Sequence, residues 1–76
     1  MTLSQLLTGQ SGLIQSLTQN NHFNDRLSAL GIKKNKIIKI LRKATFGGPL
    51  HLQIGTTELM VRQLIAKEII ISPIKN

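Results

Sequence analysis

The chain contains no cysteine, no tryptophan and no tyrosine, and it carries only three carboxylate side chains. Without cysteine there is no disulfide, no thiolate-held zinc and no iron–sulfur cluster, a composition suited to a reducing compartment. Phe23 and Phe46 are the only aromatic residues, so platforms for stacking unpaired bases are nearly absent. The carboxylates Asp25, Glu58 and Glu68 are far apart in sequence, and the two histidines, His22 and His51, show no metal-ligand spacing. No serine lies in a nucleophile-elbow context, and Gly47-Gly48 lacks the Lys-Ser/Thr of a phosphate loop. These absences point to a binding module rather than an enzyme, with no cofactor and no metal site expected.

Long apolar runs are missing too. The longest are three residues, as at Ile69-Ile70-Ile71, against the roughly 20 needed to span a bilayer. The opening MTLSQLLTGQ lacks the basic start and apolar stretch of a secretory signal. The expected location is cytoplasmic, at most peripheral at the inner face of the cell membrane.

What the chain does have is positive charge. Ten Lys and Arg against three Asp and Glu give a net charge of +7 over 76 residues. Six of the ten fall between Lys33 and Lys43 (Lys33, Lys34, Lys36, Lys39, Arg42 and Lys43). Such a stripe suits nucleic acid, an anionic membrane face or an acidic protein, and composition does not choose among them. An apolar share of 41% is ordinary for a folded domain, and the length allows one small core, so residues 1–76 are read as a single domain.

The local patterns are short and mostly β. Thr2 with Gln5 has capping-box spacing ahead of Leu3, Leu6 and Leu7, which predicts a helical turn over 3–7. Residues 12–18 alternate as a first strand. The polar stretch 18–25 reads as loop, with Asn24 capping a short helix through Leu30 that Gly31 closes. Residues 35–44 are ambiguous: Ile37, Ile38, Ile40 and Leu41 fit a basic amphipathic helix or an Ile-rich strand. Shortness and the flanking breakers favour strand. Residues 50–54 and 58–62 alternate around a Gly-Thr-Thr turn, and a helical turn over 63–67 precedes a last strand that Pro73 is expected to stop. Five short strands with breakers between them predict an all-β fold, a small five-stranded barrel with short helical turns, closed so that no edge remains.

In order, these segments resemble the FeoA family. TLSQLLTGQSGLIQSL is similar to the family's opening leucines, double-glycine turn and first strand. RLSALGI resembles its short helix. The resemblance is strongest from IIKILRKATFGGPLHLQIGTTELMVR through AKEIIIS. Two positions depart from the pattern: Asn35 stands where the family has glycine, a site Asn tolerates through its access to left-handed backbone. Thr45 replaces a proline before Phe46. The resemblance implies an SH3-like barrel and a role as accessory to FeoB, the membrane ferrous iron transporter with a cytosolic GTP-hydrolysing domain. FeoA-like domains also end metal-dependent repressors, so the homodimerising module of a metal-dependent regulator is an alternative reading, as is a basic SH3-like barrel on the nucleic acid backbone.

The candidate partner surface centres on TFGGPL: Phe46, Gly47, Gly48, Pro49 and Leu50, with Arg42, Lys43 and Arg62 as charged neighbours. Phe46 either folds over the barrel mouth as core or projects as an aromatic anchor. Both readings remain open at the level of sequence, with Gly47 and Gly48 expected to supply positive φ and Pro49 to end the turn.

Overall fold

A computed structural model describes residues 1–18 and 21–74. Its frame is one antiparallel sheet of five strands: β1 (Ser11–Ser16), β2 (Ile37–Lys43), β3 (Leu50–Ile54), β4 (Thr57–Val61) and β5 (Ile70–Ile74). Their spatial order is β4-β3-β2-β1-β5. Three short helical pieces fill the connections: a 3₁₀ turn over Leu3–Gln5, α1 (Asn21–Ala29) and α2 (Gln63–Ala66).

Alternation decides which residues enter the core. In β2, Ile38 and Ile40 are fully buried while Ile37 and Lys39 face out, and in β3 Leu50 and Leu52 are fully buried. The ambiguity of the β2 sequence has a local cause. The register with β3 shifts between Ile40 and Arg42, so Leu41 is an extra residue in the pairing and lies half-buried. The bulge therefore accounts for the apolar pair Ile40-Leu41, while Ile37 beside Ile38 is an exposed apolar residue in regular alternation. The segment is strand, and the basic amphipathic helix is ruled out. Leu3, Leu6, Leu27, Ile32, Ala66 and Ile69 complete the core from outside the strands, and neither Phe23 nor Phe46 is fully buried.

Three expectations need correction. First, the loop assigned to 18–25 gives way to α1 from Asn21, although Gln19 and Asn20, like Lys75 and Asn76, lie outside the described residues. Asn24 is inside the helix and not its cap. Its side-chain amide donates to the Thr18 carbonyl at 2.8 Å, and its Oδ1 accepts from the Thr18 hydroxyl at 3.1 Å. The run NHFND is a weak helix former, and this tie to Thr18 is not visible in its spacing. The other end of α1 follows expectation. Gly31, at φ +94°, donates to the Ser28 carbonyl and Ile32 to that of Leu27, each at 2.9 Å, as in a Schellman cap.

Second, Pro73 does not stop β5. It pairs opposite Gly12, and the strand runs on to Ile74. Proline is tolerated there because β5 is the last strand in the sheet order, where a missing N–H on the outer side breaks no ladder.

Third, the barrel is not closed by pairing of its end strands: among the described residues β4 and β5 do not pair with each other. The chain's start covers β5 instead. Thr2 bridges Ile70, the Leu3 amide donates to the Ile69 carbonyl, and the Ile71 amide donates to that of Met1, both at 2.8 Å. Among the described residues β4 pairs only with β3.

Candidate functional site

The β2–β3 connection is the TFGGPL segment. The Ala44 amide donates to the Pro49 carbonyl at 3.1 Å, closing the loop at its base, and the Gly48 amide donates to the Thr45 carbonyl at 3.3 Å. Residues 45–48 thus form a β-turn, with Phe46 at φ +57° and Gly47 at φ +74° as its central pair. Positive φ at both central positions is the mark of the type I′ hairpin turn, whose twist matches that of the flanking strands.

The division of labour in the turn differs from expectation. Positive φ falls on Phe46 and Gly47, not on Gly48. Gly48 is required for space: a Cβ there would lie 2.6 Å from the Cβ of Ala44. Phe46 occupies a position where Asn, Asp or Gly is the usual choice.

Phe46 projects outward. It is 105% exposed, the highest value among the exposed large apolar residues, so the core reading of this side chain is set aside. Leu50, counted above with the partner surface, is fully buried and belongs to the core. The reason is pleating: Leu50 is the first residue of β3, and side chains alternate from there, Leu50 and Leu52 inward. Pro49 and Gly48 are half-buried at the base of the loop, and Gly47 is exposed.

The charged neighbours separate into two kinds. Arg42 and Arg62 are exposed. Lys43 is half-buried, and its Nζ donates to the Ser4 carbonyl at 2.9 Å, so this lysine ties β2 to the 3₁₀ turn rather than standing free at the rim. Sheet register brings Arg62 to the loop: Leu50 pairs with Lys43 on one side and Val61 on the other, and Arg62 follows Val61 as the N-cap of α2. Leu64, two residues further, is 74% exposed. It is an apolar neighbour at this end of the sheet that sequence reasoning missed. The signal was present, since a four-residue helix cannot turn all of Leu64, Ile65 and Ala66 inward, and only Ala66 is fully buried.

No metal-holding cluster is assembled among the described residues. No group of three or more His, Asp and Glu side chains comes together. His51 Nε2 and Glu58 Oε1 lie 3.0 Å apart across β3 and β4 on the outer face, a partly exposed pair. Among the described residues no helix is long and apolar enough to cross a membrane.

The FeoA domain profile matches residues 1–73. Among curated proteins, no sequence matches. The solution structure of FeoA protein from Chlorobium tepidum is similar at 27% identity and TM-score 0.90, covering 99% of this chain and 71% of that one. FeoA of Stenotrophomonas maltophilia, crystallised with zinc and described as a prokaryotic SH3 domain protein, is 30% identical with TM-score 0.80, covering 95% and 89%. A manganese-dependent transcriptional repressor shares the fold alone, at 15% identity and TM-score 0.86, with this chain spanning 41% of its length.

Proposed function

Because this chain belongs to the FeoA domain family, which is linked to ferrous iron transport, we propose that it is a non-catalytic accessory protein of that transport. It acts on the cytoplasmic side of the membrane by docking on the cytosolic part of a FeoB-type transporter. Promotion of ferrous iron transport is the role put forward for the Stenotrophomonas relative. The observation that carries the docking surface is Phe46. A large aromatic side chain stands wholly in solvent, on a turn whose backbone a smaller polar residue would suit better. Nothing in the core uses it, whereas aromatic anchors commonly dominate protein interfaces. Leu64 extends the apolar surface, and Arg42 and Arg62 supply a charged rim.

The test is a binding titration of the transporter's cytosolic domain with the wild-type protein and with Phe46→Ala, repeated across a salt series. The expected result is loss of at least about tenfold in affinity for the variant, equivalent to about 1.4 kcal/mol. The wild-type affinity should depend only weakly on salt. Equal binding by both proteins refutes Phe46 as the anchor. Self-association that disappears in Phe46→Ala, without transporter binding, would move the surface to the homo-oligomer reading.

A further inference from the structure

At the other end of the β2–β3–β4 ribbon lies a second surface, about 13 Å from the TFGGPL loop by the length of β3 at about 3.3 Å per residue. Here the 31–36 loop stands opposite the β3–β4 turn and leaves a groove of about 610 Å³, lined by Lys33, Asn35, Lys36, Ile37 and Thr56 among others. A second depression of about 270 Å³ continues it past Lys39, Gln53 and Ser11. The two share Ile37 and Gly55, so they adjoin and make one trough at this end of the sheet.

Its chemistry is consistent along its length. Three lysines line it and no carboxylate does. Among the described residues none of the three lies within ion-pair distance of a carboxylate. At the junction of the two depressions sits Ile37, 57% exposed although it is in the middle of a cationic stripe. Ile54 lies half-buried nearby in the larger depression. The lysines alone would suit any polyanion. An exposed aliphatic side chain at their centre, in a groove without an aromatic, adds nothing for a phosphate backbone and offers no stacking platform for bases. It does suit a peptide whose acidic side chains flank an aliphatic one. A second copy of this chain is a poor occupant, because its net charge of +7 repels the trough.

We infer that this trough is a docking site for an extended acidic peptide segment of a partner protein, its carboxylates on Lys33, Lys36 and Lys39 and an aliphatic side chain on Ile37. The site is separate from the Phe46 surface, and the inference stands without the docking proposal made above.

The probe is a short dye-labelled peptide alternating Asp and Leu, titrated with the intact protein at physiological salt and followed by fluorescence anisotropy. Saturable binding is expected, weakened about tenfold or more when Lys33, Lys36 and Lys39 are all changed to Gln. Lys36→Gln should weaken binding while Lys67→Gln, with the same loss of charge outside the trough, should not. Ile37→Ser should weaken it further, with thermal melts confirming that each variant is folded. Absence of binding overturns the inference, and so does equal loss in Lys36→Gln and Lys67→Gln, which would mean net charge alone is sensed. Unchanged binding by Ile37→Ser, or displacement of the peptide by duplex DNA at matched charge, would make the trough a general polyanion surface and also overturn it.

Discussion

Phe46 holds the first central position of a type I′ turn, where a Cβ-bearing residue with no polar group to bond the local backbone is held in left-handed conformation at a cost of about 1–2 kcal/mol. Its side chain recovers none of this by burial. Replacing Phe46 by Asn, which tolerates that backbone, should therefore raise stability by roughly 0.5–1 kcal/mol. A rise of a few degrees in the thermal midpoint is the expected reading, and a fall would mean that Phe46 packs on the barrel after all. Asn35 illustrates the same rule in its ordinary form. It sits at φ +71°, exposed, with its amide donating to the Ile14 carbonyl at 2.8 Å. Its tolerance of left-handed backbone was legible from residue type alone. The outward direction of Phe46 was not, because an aromatic residue in a small domain is equally at home over a core.

At the scale of the element, the β2–β3 hairpin depends on close approach between its two arms at Gly48 and Ala44. Gly48→Ala places two methyl groups 2.6 Å apart, and relief of that contact should cost about 1–3 kcal/mol. Ala44→Gly removes one of the two methyls and should recover part of the loss, leaving the Thr45 carbonyl at 3.3 Å as the residual tight contact. A double-mutant cycle by urea denaturation should then give a coupling of at least about 0.5 kcal/mol, and strict additivity would dismiss the contact. Strand boundaries were largely legible because alternation and turn residues are local. The bulge after Ile40 was not, since an extra residue in one strand is defined only by its partner. Helix α1 was misread at its start for a related reason: Asn24 is held by Thr18, six residues back.

For the whole molecule, stability rests on a purely aliphatic core in a chain too short to spare much of it. A 76-residue domain has about 4–11 kcal/mol in total, so the about 2–5 kcal/mol expected for Leu50→Ala is a large share. Circular dichroism melts should show that variant strongly destabilised, whereas Phe46→Ala, four residues away, should melt near the wild type. The contrast tests the assignment of one residue to core and the other to surface within a single hexapeptide. Charge acts at this scale as well. With a net charge of +7, association with any acidic partner should quicken at low salt and slow as screening rises, even where the final affinity rests on apolar contact.

The sequence by itself determined the class of the protein. An all-β chain of short aliphatic strands, without cysteine, clustered carboxylates or membrane-length apolar runs, carries its motifs in an order that matches the FeoA domain family over residues 1–73. Those properties are readable because they depend on composition and on neighbours a few residues apart. Tertiary structure decided what depends on distant partners. Pleating and register placed Leu50 in the core and Phe46 in solvent, the Ser4 carbonyl took Lys43 out of the free basic stripe, and the chain's start covered β5. The 31–36 loop standing opposite the β3–β4 turn made Lys33 and Lys36 walls of a groove, and Lys39 lines the depression beside it.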